Sequence, residues 1–235
     1  MFSLGDAAGL VLVYTYVGIV ISMTAWLIKR RPDIDRRKAI HILVGNIVFL
    51  WWIFDDRWVM GLLAALPFVF LLLAIAHRSA PKRLNGSFLE EATVQGHKYG
   101  LVYYAVSWTV LAILLFDDRM VAGIAIASMS FGDGVGGLVG KKFGRTGLYR
   151  GKTVEGTVTV FLGTVLSTLA VMAFYSFLSG YVPQLGVPAL APLTAVAVAS
   201  LTGAFVAVVE LFSPGEYDNL IVPLSTAALL LAIGL

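Results

Sequence analysis

The chain has 235 residues, 59% hydrophobic and only 13% charged, with a mean hydropathy of +0.88. A soluble domain usually carries about 25% charged residues, so this chain cannot cover a water-facing surface. The lack of cysteine excludes disulfides, thiolate catalysis and cysteine-ligated metals, and the pI near 9.2 is assigned to basic membrane-flanking loops rather than to nucleic-acid binding.

Each membrane span needs about 20 apolar residues, and in chain order the apolar runs fall near 8–28, 39–54, 58–76, 99–116, 119–140, 156–179, 190–210 and 219–235. The runs are continuous rather than alternating, which predicts helices and not a barrel. The expected fold is an all-α polytopic bundle of about eight spans, seven if a short one is re-entrant, forming one integral-membrane catalytic domain over 1–235. The first run has no basic segment before it and no small-residue cleavage site after it, so it reads as a retained helix. Of the 17 Lys and Arg residues, six lie in 29–38, four in 77–98 and five in 141–152. The positive-inside rule puts these loops in the cytoplasm and the N-terminus outside. The expected location is the plasma membrane of a prokaryote. One string, Phe54-Asp55-Asp56-Arg57, recurs as Phe116-Asp117-Asp118-Arg119, either a parallel repeat of two hairpins or the same good turn used twice.

Candidate site residues are the polar ones a bilayer should reject. Asp133 lies inside the fifth run, where an ionisable group costs about 2.5–3.5 kcal/mol and normally serves a polar cavity. Gly132, Gly136, Gly140 and Gly144 recur at every fourth position, which suits close helix packing as well as close approach to a ligand. The loop after them carries Lys141, Lys142, Arg145, Arg150 and Lys152 among glycines, with Thr146 and Thr153, a composition that suits a polyphosphate. Gly151-Lys152-Thr153 is not a Walker A motif, because Gly147 stands one residue too close and no strand precedes it. Glu155 enters the next span as a Mg²⁺ ligand or a helix cap. Arg37, His41 and Gly45 form one stripe at i, i+4 and i+8, with His41 either an acid–base group or an interfacial hydrogen bonder. Glu210, Glu216, Asp218 and Asn219 surround a cation-free turn whose oxygens suit Mg²⁺, or which simply caps the last helix.

Taken together and in this order, Gly132-Asp133-Gly134 through Lys141-Lys142-Phe143-Gly144, then Lys152-Thr153-Val154-Glu155-Gly156, then Asp218-Asn219-Leu220, resemble the phytol/dolichol (polyprenol) kinase family. Arg37-Lys38-Ala39-Ile40-His41 and Gly96-His97-Lys98-Tyr99 resemble its N-terminal signatures, so the resemblance covers about 36–235. It implies a CTP-dependent kinase, with Mg²⁺, that phosphorylates the hydroxyl of a long isoprenoid alcohol held in membrane lipid. The nucleotide would lie against 133–155 and be held by Arg37, Lys141, Lys142, Arg145, Lys152, Thr153 and the glycines. Asp133, Glu155, Asp218 and Asn219 would serve the metal, with Asp133, Lys152, Glu155 and His41 as the catalytic set. Two other readings stand beside it. A CTP-dependent lipid cytidylyltransferase lacks its C-terminal signature here, and a transporter using Asp133 as an ion site leaves the basic loop without a role.

Overall fold

Ser3 starts the first helix with a reciprocal capping box. Its hydroxyl accepts the Asp6 N–H while the Asp6 carboxylate accepts the Ser3 N–H. Helix α1 (Leu4–Arg30) ends on Lys29 and Arg30, cations that suit the negative end of its dipole. Its buried positions, Gly9, Val13, Val17, Val20, Thr24 and Ile28, form one stripe. Leu12, Ile19, Met23 and Trp26 on the other faces are exposed. An apolar helix with only one buried stripe has hydrocarbon as its solvent.

The computed structural model describes residues 2–31, 33–77, 88–94, 98–187 and 190–235, so Gly96, His97 and the middle-loop cations Arg78, Lys82 and Arg83 lie outside the described residues. Among the described residues five stretches are long and apolar enough to cross a membrane: α1, Val59–Ala76, Arg119–Phe143, Val154–Ser179 and Pro192–Phe212. The second is a π-helical Val59–Ala65 running into α3 (Leu66–Ala76). The third is α6 (Arg119–Ala127), a π-helical Ser128–Asp133 and α7 (Gly134–Phe143). The last two are α8 and α9. Between them come α2 (Arg36–Val44), α4 (Phe88–Val94) and the shorter apolar α5 (Gly100–Leu114), and α10 (Asp218–Ala232) ends the series. The expected run 39–54 is not one helix, because α2 gives way to 3₁₀ turns at Gly45–Phe49 and Trp51–Ile53. Among the described residues there is no strand, and the protein is an all-α polytopic membrane protein.

The chain forms two compact units, Met1–Leu114 with Pro214–Leu220, and Leu115–Ser213 with Ile221–Leu235. Two prolines break helical hydrogen bonding, and the freed carbonyls find side-chain donors. Pro67 cannot donate to Leu63, whose carbonyl accepts the Tyr14 hydroxyl at 2.6 Å. Pro223 cannot donate to Asn219, whose carbonyl accepts the buried Ser107 hydroxyl at 2.6 Å. Inside a bilayer no water replaces these donors. Ser107→Ala should therefore destabilise the protein by about 1–3 kcal/mol, the cost of an unsatisfied buried carbonyl, read as a lower unfolding midpoint in detergent.

The two Asp-Asp-Arg turns are tied into their units by different bonds of their own. In the first unit the Asp55 and Asp56 N–H groups donate to the Asp6 carboxylate at 3.0 and 3.1 Å. In the second unit Arg119 folds back, donating to the Phe116 carbonyl at 3.0 Å with its guanidinium 4.2 Å from the Phe116 ring.

The glycine stripe sets the packing of the second unit. A side chain on Gly132 would strike Thr164, and one on Gly136 would strike Val160, both on α8. At Gly140 an added Cβ would lie 3.3 Å from the Gly156 Cα. Such small residues let two helix backbones approach closely where no hydrophobic effect drives them together. Gly203 on α9 plays the same part against Phe161 and Val165 of α8.

Candidate active site

Asp133 ends the π-helical turn and is 2% exposed. A π-turn inserts an extra residue into the helical ladder and recurs at functional sites. Here it sits inside a membrane-spanning stretch, flanked by glycines packed on α8. Lys141 and Lys142 lie in the last turn of α7, about 12 Å further along the axis at 1.5 Å per residue.

The loop from α7 to α8 is a small hairpin. The Leu148 N–H donates to the Lys152 carbonyl at 2.8 Å, and the Lys152 N–H donates to the Tyr149 carbonyl at 2.9 Å. The central residues Arg150 and Gly151 both have positive φ, 48° and 80°, which is the pattern of a type I′ turn. Glycine takes this conformation freely, whereas Arg150 takes it at a cost. Gly147 and Thr153 bridge the two arms. The string Gly151-Lys152-Thr153 is thus the return arm of a hairpin with no P-loop geometry around it.

Three side chains of the loop, Thr153, Glu155 and Lys152, have partners. Thr153 is the N-cap of α8, its hydroxyl accepting the Gly156 N–H at 3.2 Å. The Glu155 carboxylate accepts the N–H groups of Arg145 and Thr146 at 3.1 and 3.3 Å, so it clasps the outgoing arm of the loop to the start of α8. The Lys152 ammonium forms an ion pair with Glu210 at 2.5 Å and also donates to the Glu210 carbonyl. Glu210 is 7% exposed in the last turn of α9. Nothing local in the sequence pairs Lys152 with a residue 58 positions away. The second unit therefore gathers Lys152, Thr153, Glu155, Arg145 and Glu210 at one loop, with Asp133 further along the α7 stretch.

The remaining candidates lie in the first unit. The Arg37 guanidinium rests on Gly100, where an added Cβ would stand 2.6 Å from its Nη1. His41 is fully buried, its ring 4.1 Å from that of Tyr104, and the Tyr104 hydroxyl donates to the His41 carbonyl at 3.0 Å. Neither His41 nitrogen has a hydrogen-bond partner among the described residues. Asp218 and Asn219 are buried at the start of α10. The Asn219 amide donates to the Glu216 carbonyl at 3.1 Å, while its Oδ1 lacks a partner among the described residues. Glu216 accepts the Tyr99 N–H at 2.8 Å, and Tyr217 stacks on Tyr103 at 5.2 Å. Helix α5 thus carries both α2 and the 214–220 turn.

Among the described residues no three His, Asp or Glu side chains gather as a metal cage. Mg²⁺ does not need one, since it typically takes one or two carboxylates, waters and the substrate's phosphates. A buried carboxylate such as Asp133, or the Asp218 carboxylate next to the partnerless Asn219 oxygen, fits that mode.

Comparison with known proteins adds the family. No family model and no solved structure matches the chain. A phytol kinase of Synechocystis sp. is 33% identical over 223 residues, covering 91% of this chain and 86% of its own length. A probable chloroplastic phytol kinase of Zea mays is 26% identical over 198 residues, 81% of this chain and 63% of its own length. The chloroplastic phytol kinase 1 of Arabidopsis thaliana is 26% identical over 152 residues, and this chain spans half of it. With 33% identity to the cyanobacterial protein across nine-tenths of its length, the chain belongs to the phytol/polyprenol kinase family.

Proposed function

We propose that this protein transfers the γ-phosphoryl group of CTP to the hydroxyl of a long isoprenoid alcohol, phytol or a related prenol, at the cytoplasmic face of its membrane. Its family makes it a phosphotransferase with an alcohol acceptor. The donor, the prenol and the face of the membrane are our own reading. The observation that carries it is Asp133, a carboxylate buried on a π-turn in the stretch that leads to Lys141, Lys142 and the basic hairpin. A transporter reading explains Asp133 but leaves the hairpin cations unused.

In the reaction the alcohol oxygen attacks the γ-phosphorus and the bond to the β–γ bridging oxygen breaks. CDP leaves, and the hydroxyl proton passes to a base. Asp133 is the first candidate for that base and His41 the second. Lys141, Lys142, Arg145 and Lys152 are assigned to the phosphates, where cations and fixed N–H groups supply positioning and charge neutralisation. The glycines act here by bringing α7 against α8, so that the hairpin starts beside the Thr153 cap. Mg²⁺ supplies neutralisation of charge on the phosphates when bound, with Asp133 and Glu155 in the second unit and Asp218 and Asn219 in the first as its candidate ligands.

The test uses purified protein, Mg²⁺ and a prenol panel with CTP labelled at either the γ- or the α-phosphate. Label should enter the lipid phase from the γ-position alone. Entry from the α-position with phosphatidate present would make the protein a cytidylyltransferase. No transfer from CTP, ATP or GTP would remove the kinase reading.

A further inference from the structure

The first unit contains a partly open cavity of about 100 Å³, measured as room for the centres of water-sized spheres. Its walls come from α1, α2, the 3₁₀ and π segments, α3, α4 and α5, and they are almost wholly apolar. Val13, Val17 and Ile21 line it along two turns of α1, so it extends about 12 Å along that helix. An apolar space of this kind holds no water. Lipid-facing grooves are common on membrane helices, but this one has polar groups set into a buried wall. Trp108, which lines the cavity, has a buried indole N–H without a partner among the described residues. One turn earlier on α5, Tyr104 also lines it, and the fully buried His41 ring lies 4.1 Å from the Tyr104 ring. Ile40 and Val44, the lining residues of α2, flank His41 in sequence.

A buried hydrogen-bonding group without a partner costs about 1–3 kcal/mol. One such atom, the Trp108 indole nitrogen, belongs to a residue of the cavity wall, and the two His41 nitrogens belong to a ring packed on the lining residue Tyr104. An all-hydrocarbon occupant satisfies none of them. A diacyl phospholipid brings a bulky charged headgroup that the apolar wall cannot solvate. A hydrocarbon chain with one terminal hydroxyl, at once donor and acceptor, suits the wall and can meet one of the orphaned nitrogens.

We propose that this cavity is the seat of the isoprenoid chain of the alcohol substrate, the chain running along the apolar wall past Trp51 and Tyr104. The proposal rests on the prenol-kinase reading for the identity of the chain. The small residues Ala64, Ala65 and Ala105 in the wall set how much chain is admitted.

Binding is measured apart from turnover. In protein carrying Trp26→Phe, Trp52→Phe and Trp58→Phe, fluorescence reports only Trp51 and Trp108, both on the cavity wall. A nitroxide-labelled prenol should quench it saturably, unlabelled geranylgeraniol should reverse the quenching, and a phospholipid with the same nitroxide on its acyl chain should not compete. Ala105→Phe, and the less buried Ala65→Phe as a second variant, should weaken prenol binding about 10-fold or more, the scale of a steric misfit in an apolar pocket. In the kinase assay the same variants should raise the prenol KM and not the CTP KM, with geraniol affected less than geranylgeraniol. Equal quenching by labelled prenol and labelled phospholipid makes the cavity an ordinary lipid contact and overturns the proposal, even if the protein is an active kinase. Unaltered prenol binding in both folded variants overturns it as well. Saturable, variant-sensitive binding without phosphorylation from any nucleotide supports the cavity assignment and removes only the kinase reading.

Discussion

Asp133→Asn should abolish prenol phosphorylation while leaving the fold intact. The substitution keeps the shape of the side chain and removes its charge, so packing on the π-turn is conserved. If the charge serves the reaction, as base or as metal ligand, its loss should lower kcat by about 10²–10³-fold, the scale for removing one preorganised electrostatic group. Measured together, kcat should fall while the detergent unfolding midpoint stays put. Turnover within tenfold of the parent would remove Asp133 from the mechanism and advance His41 as the base. A collapse of the midpoint would mean that the carboxylate holds the helix together instead.

What could be read from the sequence divides by the range of the interaction. Span positions follow from runs of apolar residues, and most of the structure's long helices lie where those runs lie. The glycine stripe declares itself by its spacing, and its partner face on α8 repeats the pattern with Gly156, Val160 and Thr164. The segment 39–54 was harder, because its composition is that of a span while its backbone turns 3₁₀ after Val44. The Asn46 side chain explains part of this, since its amide donates to the Ile42 and Leu43 carbonyls that a regular helix would use internally. The π-turn under Asp133 has no composition signal either, because its extra residue shows only in the backbone ladder.

The same division by range applies at the hairpin. Its cations and glycines were visible as a basic, flexible loop, and Glu155 was visible as an acid at the start of a helix. The pairing of Lys152 with Glu210 was not, because it depends on α8 and α9 lying side by side. The close approach at Gly203 permits that, and no local pattern reports it.

The Lys152–Glu210 pair supplies the second large effect, and it separates a structural role from a chemical one. Lys152→Met alone should both destabilise and inactivate the protein. It leaves the Glu210 carboxylate, 7% exposed, without its cation, and breaking such a pair costs about 3 kcal/mol. Loss of activity in that variant is therefore ambiguous. Adding Glu210→Gln removes the stranded charge, so Lys152→Met with Glu210→Gln should recover most of the unfolding midpoint. Activity should not return, because a methionine cannot neutralise a phosphate. Glu210→Gln alone should have the mildest effect, about 10-fold in kcat/KM for CTP, since Lys152 keeps its charge and its bond to the Glu210 carbonyl but loses its orientation. This makes Glu210 a positioning residue acting through Lys152, and the two substitutions should be non-additive in catalysis. Recovery of turnover along with stability in the double variant would show that Lys152 serves only the fold. The hairpin cations left for the phosphates would then be Lys141, Lys142, Arg145 and Arg150.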